Sequence, residues 1–277
     1  MSEVKYDEIG YWSEVKLDIV KKYAVAYSTV LAAQPNIKSH IYIDAFAGPG
    51  THISKATGDF VAGSPRNALL VHPPFKEYHF IDLEGWKANL LRELKGDRAD
   101  VFVYEEDCNE VLLKKVFPRV RYMDYRRALC LLDPYKINLN WEVIKTAGQE
   151  KSIEIFPNFM VMDANMNVLK HDQSKVLESQ AQRMTTFWGD ESWRDAAYEK
   201  SAGLFDEMQS KSTNSALVEA FRKRLKEQAG FAFVPEPIPM RNTRGAVVYY
   251  LYFASPNETG AKIVKDIFDK YRNTGMH

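Results

Sequence analysis

The sequence predicts an α/β fold built on a mostly parallel sheet. Three observations predict it. Strand-like and helix-like segments alternate between residues 41 and 162, a glycine-rich turn follows the first strand, and acidic residues stand at the ends of three successive strands.

The elements follow in order. From Trp12 to about Leu31 the apolar residues Val15, Ile19, Val20, Tyr23, Tyr27 and Leu31 fall at helical spacing, with Ser13 as a candidate cap and Pro35 beyond the end. Ile41 to Ala45 is a short strand running into the glycine-rich turn. A long loop containing Gly63-Ser64-Pro65-Arg66-Asn67-Ala68-Leu69 comes next. Then strands at Tyr78 to Asp82, Asp100 to Tyr104, Ala128 to Leu132 and Ile153 to Met162 alternate with helices at Gly85 to Lys95, Asn109 to Phe117 and Trp141 to Thr146. Such alternation implies βαβ units with helices on both faces of the sheet.

After residue 165 the alternation stops. Residues 165–228 read as helical and polar, with aromatics at Phe187, Trp188, Trp193, Tyr198 and Phe205. Strands at Phe231 to Glu236 and Ala246 to Ala254, joined closely enough to pair antiparallel, precede an amphipathic helix from Glu258 to Tyr271. The expected total is seven strands, the last two an antiparallel pair, with a helical insertion at about 165–228. A chain of 277 residues sits near the size limit of one hydrophobic core, so a single domain over 1–277 carrying that insertion is expected.

Composition narrows the function classes. Formal net charge is zero, so no global positive field draws the chain onto nucleic acid. Local basic stretches exist at Arg119, Arg121, Arg126 and Arg127, and at Arg222, Lys223, Arg224 and Lys226. Each is also what a solvated surface looks like. Cys108 and Cys130 form neither a disulfide framework nor a metal-ligand pattern. The amino terminus, Met1 to Lys5, lacks the apolar stretch of a signal peptide, and no apolar run is long enough to span a bilayer. A cytoplasmic location is expected.

The chemistry-bearing residues cluster after the strands. Asp44 lies near the end of the first strand, and Gly48 and Gly50 follow where the chain must turn. Glycines there let the backbone approach a ligand, and open α/β sheets bind ligands at the carboxyl ends of their strands. A nicotinamide fingerprint would need a third glycine at position 53, which is Ile53, and no Gly-Lys-Ser/Thr follows to make a P-loop.

After the second strand, Asp82 can accept hydrogen bonds from both hydroxyls of a ribose, with Glu84 as the alternative. The helix dipole alone would also favour a carboxylate there. After the third strand, in Glu105-Glu106-Asp107-Cys108-Asn109, Asp107 can accept from an adenine amino group or cap the following helix. The conjunction of three acids on one crevice points to S-adenosylmethionine. Its candidate contacts are Asp44, Phe46, Gly48, Gly50, Asp82, Asp107 and Cys108, on a Rossmann-like fold of the class I methyltransferase type.

The fourth stretch, Leu132-Asp133-Pro134-Tyr135, lies where a methyl acceptor would meet the cofactor. It is similar to the Asp/Asn/Ser-Pro-Pro-Tyr/Phe stretch of aminomethyltransferases acting on bases, with one proline instead of two. The catalytic candidates are therefore Asp133, Pro134 and Tyr135, with a turn that packs Tyr135 into the core as the plainer alternative.

Taken together, several stretches resemble the three-Cys-motif partner family. They are Tyr11 to Leu17, Tyr42 to Gly50, Gly63 to Leu69, Leu132 to Tyr135, Phe156-Pro157-Asn158 through Met162-Asp163, and Tyr250 to Ser255. The resemblance implies a methyltransferase-like fold and a companion protein, similar to radical-S-adenosylmethionine enzymes, that bears three cysteines. Two functions follow as expectations. One is methyl transfer to an amino group of a nucleobase or nucleotide, although a small molecule or protein would fit the crevice equally well; the insertion's Trp188 and Trp193 either supply an acceptor face or, the preferred reading, are buried in a helical cap. The other is a non-catalytic cofactor-binding partner subunit.

Overall fold

A computed structural model describes residues 6–170, 175–202, 207–211 and 214–274. The strands are β1 (Glu8–Ile9), β2 (Ser39–Asp44), β3 (Thr51–Ser54), β4 (Phe60–Ala62), β5 (Glu77–Ile81), β6 (Val101–Tyr104), β7 (Arg126–Leu132), β8 (Ile153–Phe159), β9 (Tyr198–Ala202), β10 (Glu207–Lys211), β11 (Ile238–Arg241) and β12 (Val247–Leu251). The helices are α1 (Tyr11–Ala32), α2 (Ser64–Leu69), α3 (Gly85–Lys95), α4 (Cys108–Val111), α5 (Trp141–Glu150), α6 (Val161–Asn167), α7 (Glu178–Trp188), α8 (Trp193–Ala197), α9 (Asn214–Glu227) and α10 (Glu258–Thr274).

Seven strands form one sheet in the order β11-β12-β8-β7-β2-β5-β6. The neighbours from β8 to β6 pair in parallel, whereas β12 runs antiparallel to both β8 and β11. This is the α/β, Rossmann-like architecture expected, with β12 inserted as the one reversed strand.

Alternation along the strands feeds two cores, because successive strand residues point to opposite faces. On β7, Ala128, Cys130 and Leu132 join a core with α4, α5 and the 165–228 segment. Leu129 and Leu131 face the other way, among Tyr23 and Val20 of α1, Leu91 of α3 and Val264 and Phe268 of α10. Both faces are covered, as a parallel sheet requires.

Several element boundaries differ from expectation. Phe231 to Glu236 is not a strand; Phe233 makes one bridge to Ser255, and the pairing strand is β11. Pro235 and Pro237 remove the amide donors a ladder would need there, while Pro239 is tolerated because β11 is an edge strand. The strand from Ile153 stops at Phe159, and Val161 begins α6. The helix after β6 starts at Cys108 and runs through a π turn (Leu112–Val116) into a 3-10 turn (Phe117–Arg119). The long loop after β2 contains the β3–β4 hairpin, which pairs through β3 with β1.

The 165–228 segment is helical as expected but also carries the β9–β10 hairpin. Phe205 lies outside the described residues. Trp188 and Trp193 are buried, and Phe187 and Trp188 pack with Phe159 and Phe221. Each such ring gains about 1.5–3 kcal/mol from burial, so these aromatics serve the core and present no acceptor face.

Candidate active site at the strand tips

The loop after β2 is positioned by its backbone. Ala45 N–H donates to Leu131 O at 3.0 Å and Ala47 N–H to Ile81 O at 2.9 Å, so the chain passes between the ends of β7 and β5. Gly48 and Gly50 then adopt φ of 63° and 76°, the left-handed region that favours glycine. Gly63 donates to Gly50 O at 3.0 Å, and a Cβ on Gly63 would lie 3.0 Å from the Gly50 carbonyl carbon. The Gly63-Ser64 turn therefore packs directly on the glycine loop and starts α2 beside it.

Asp44 is wholly buried, and neither of its carboxylate oxygens has a hydrogen-bond partner. Burial, the largest effect, pushes its pKa up to about 7, and the nearby Asp133 charge adds to this. The Ser64 hydroxyl, the Phe46 amide and Lys16 pull the other way without satisfying the oxygens. Asp82 is nearly buried and ties two backbones together. Its Oδ2 accepts from Gly48 N–H and its Oδ1 from Glu84 N–H, both at 2.9 Å. Burial raises its pKa, and the two amide hydrogen bonds offset part of that rise.

A cleft of about 220 Å³ opens where the β2 loop faces the end of β7. Phe46, Ala47 and Gly48 line one side, and Asp133, Pro134 and Tyr135 another; Lys16, His52, Ser64 and Tyr249 complete it with their neighbours. Asp133 is held from two directions. Lys16 of α1 pairs with its Oδ2, and the Asn158 amide of β8 donates to its Oδ1. Burial would lower the Lys16 pKa, but Asp133, then Tyr249 and Asp44, hold the ammonium above its ordinary value. The Lys16 Nζ also lies 5.7 Å from the centre of the Tyr249 ring. Burial pushes the Tyr249 hydroxyl up to about 12, and that hydroxyl has no hydrogen-bond partner.

Tyr135 is 62% exposed, so the packed alternative does not hold. The buried Lys87 ammonium donates to its hydroxyl at 3.4 Å and lies 5.0 Å from its ring centre. Lys87 also reaches Glu84 at 2.5 Å, linking the Asp133–Tyr135 loop to the tip of β5. Beyond Tyr135, the Ile137 N–H donates to Asp163 Oδ2 at 3.0 Å, which pins the loop to α6.

Of the sequence candidates, Phe46, Gly48, Asp133, Pro134 and Tyr135 share the cleft. Asp44 and Gly50 support the loop without lining it, and Asp82 reaches it through Gly48. Asp107 and Cys108 stand apart. Asp107 is exposed and caps α4, its Oδ1 accepting from Asn109 and Glu110 N–H at 2.9 and 3.2 Å. Cys108 is a core residue whose thiol burial pushes up to about 12. Sequence reasoning missed Lys16, Asn158 and Tyr249. Lys16 alone left a signal, because it precedes Ile19 by three and Tyr23 by seven on the apolar stripe of α1, where a lysine needs a partner.

Most cations of the two basic stretches are paired. Arg119 and Arg126 pair with Glu77 and Arg121 with Asp124, while Arg222, Lys223 and Arg224 pair with Glu219, Glu227 and Asp190.

For S-adenosylmethionine, the glycine loop beside an unsatisfied buried carboxylate suits the methionine end. Asp82 has spent one lone pair on each oxygen and can accept further hydrogen bonds.

No protein-family model matches this chain, and no curated protein is recognisably similar in sequence. Among solved structures, a Legionella pneumophila protein of family-model DUF519 overlays with a TM-score of 0.54 at 12% identity, over 95% of this chain and 92% of its own. The methyltransferase domain of bacterial CtHen1-CN overlays at 0.38, with 11% identity, over 86% of this chain and 99% of its own. The Escherichia coli protein yhhF gives 0.32 and 10%, over 85% and 87%. At 12% identity the likeness to the Legionella pneumophila protein is one of fold alone, and the sheet order β11-β12-β8-β7-β2-β5-β6 with β12 reversed is itself that of a Rossmann-like α/β fold.

Proposed function

We propose that this protein is an S-adenosylmethionine-dependent methyltransferase whose acceptor is an amino group of a nucleobase or nucleotide. The observation that carries the reading is the shared cleft. It sets the glycine loop of β2 against Asp133-Pro134-Tyr135 at the end of β7, the place where open α/β sheets bind ligands.

Asp44, Phe46, Gly48 and Gly50 would hold the methionine end of the cofactor and Asp82 its ribose. When bound, the cofactor supplies an activated methyl group. The rest is positioning by this chain's own residues. Asp133, clamped by Lys16 and Asn158, presents a fixed hydrogen-bond acceptor to the amino group. Tyr135 offers an exposed ring over which a planar base can stack, with Lys87 steadying its hydroxyl. The buried phenol of Tyr249 forms part of the cleft wall.

A second reading keeps the fold without turnover: a cofactor-binding subunit of a three-cysteine, radical-S-adenosylmethionine-like companion. It is favoured by the Lys16–Asp133 pair, which already engages the acid meant for the acceptor.

Calorimetric titration with S-adenosylmethionine and S-adenosylhomocysteine tests the cofactor site. Saturable binding is expected, weakened at least tenfold by Asp44→Asn and by Asp82→Ala. Removing a buried, unsatisfied charge should at the same time raise the stability of Asp44→Asn at pH 8, so weaker binding cannot be put down to misfolding. Absence of binding by the folded wild type refutes the reading. With an acceptor in hand, Asp133→Ala should lower kcat at least a hundredfold while leaving cofactor affinity within a few fold.

A further inference from the structure

Among the described residues, the insertion's tryptophans are buried and the charges of the two basic stretches are largely paired, so neither offers a ready route for the acceptor. A different surface meets the cleft. Between the start of α1 and the β11–β12 turn lies a groove of about 580 Å³. Ser13 and Tyr249 line both the groove and the cleft, so the two spaces adjoin.

The chemistry of this groove is one-sided. Lys55 and Arg241 line it, and no acidic residue does. Lys55 is exposed and makes no ion pair among the described residues. Its backbone is anchored, its N–H donating to Ile9 O at 2.9 Å. Arg241 spends one N–H on Gly245 O at 2.8 Å and keeps the rest of its guanidinium for another partner. Arg244 adds an exposed charge on the same turn. In a chain of zero net charge this is a local positive strip.

Two aromatic rings stand beside these charges. Tyr11, 56% exposed, meets Trp12 edge-on with ring centres 5.5 Å apart, and both line the groove. Trp12 is half-buried, so Tyr11 is the ring left open, and an exposed ring sharing a groove with unpaired cations is a setting in which an unstacked base and its phosphates can bind together. Tyr249, whose buried hydroxyl has no partner, lines both groove and cleft.

We infer that this groove binds a short stretch of single-stranded nucleic acid, with its phosphates on Lys55 and Arg241 and a base on Tyr11, so that the neighbouring nucleotide enters the cleft. The inference rests on the methyltransferase reading for its purpose, but the groove can be tested without turnover. A paired base does not suit it, because a base held in a duplex stack reaches neither the Tyr11 face nor the cleft.

The test uses the full chain and fluorescein-labelled 12-nucleotide single strands of RNA and of DNA, read by anisotropy at low salt. At least one should bind saturably, with an affinity that falls as salt rises. Lys55→Ala with Arg241→Ala should weaken binding roughly tenfold or more and flatten the salt dependence. Tyr11→Ala should weaken it without changing the salt slope. Arg119→Ala, at the far end of the sheet, should change nothing.

No binding of either strand, binding indifferent to the double substitution, or equal competition by a duplex or by adenosine monophosphate would overturn the proposal. Titration with S-adenosylmethionine on the same samples separates the two ideas. Intact cofactor binding in the double variant, with oligonucleotide binding lost, supports the groove. Intact cofactor binding with oligonucleotide binding unchanged overturns the groove alone. Loss of cofactor binding in the wild type overturns the methyltransferase reading itself.

Discussion

Glu154 carries a titration that belongs to single residues. Its carboxylate is buried at the start of β8, accepts from the Tyr23 hydroxyl and from Ser255 at 2.8 Å, and is pushed by burial up to about 7. In the unfolded chain a glutamate titrates near 4.3, so between that pH and about 7 the folded state holds the extra proton. Stability tied to Glu154 is therefore full below the lower value and is lost as pH rises to the upper one. Glu154→Gln removes this loss. Its stability relative to wild type should rise by up to about 3 kcal/mol between pH 4.5 and pH 8, measured by urea unfolding at each pH. Gly260 makes room for this arrangement, since a Cβ there would lie 2.5 Å from the Tyr23 hydroxyl and 2.8 Å from Glu154 Oε1.

At the scale of elements, the glycine loop and the 165–228 segment are each held by a few definable contacts. Gly50 has φ of 76°, and a Cβ there would sit 3.0 Å from Leu94 of α3. Gly50→Ala should cost roughly 1–3 kcal/mol in chemical denaturation and weaken cofactor binding, because strain and crowding act on the same turn. In the inserted segment Arg224 of α9 donates to the carbonyl of Trp188 at 2.5 Å, pairs with Asp190 at 2.5 Å, and lies 4.7 Å from the Trp141 ring centre. Arg224→Ala should destabilise the protein by about 1–3 kcal/mol, leaving a part-buried carbonyl unsatisfied, while cofactor affinity stays unchanged. A parallel loss of cofactor binding would show that the insertion is coupled to the cleft.

For the whole molecule, the sheet places the two loops that line the cleft after adjacent strands, β2 and β7. Any ligand that binds only the folded state stabilises it by linkage, about 2.7 kcal/mol at a hundredfold excess over Kd. Thermal unfolding with S-adenosylmethionine should therefore show a rise in Tm that grows with ligand concentration and is smaller at each concentration in Asp82→Ala. With zero net charge and a paired Lys16–Asp133, that rise should depend only weakly on salt, in contrast to binding at the Lys55–Arg241 groove.

The sequence by itself determined the fold class and the strand tips, because periodicity of 2 or 3.6 residues and the Gly48/Gly50 turn are local properties. Helix α3, from Gly85 to Lys95, was readable to the residue, its end marked by Gly96. Local patterns were silent or misleading where stability came from distant partners. The β3–β4 hairpin is short and exists through its pairing with β1, and β11, with Pro239 at an edge, reads weakly as a strand. The candidate site divides the same way. Phe46, Gly48, Asp133, Pro134 and Tyr135 were legible as loop residues after strands. Lys16 and Asn158, 117 and 25 residues from Asp133, became its partners only when α1 and β8 were packed beside β7. Tertiary structure alone decided which carboxylates face the cleft and which cap a helix, since that depends on burial and on neighbours remote in the chain.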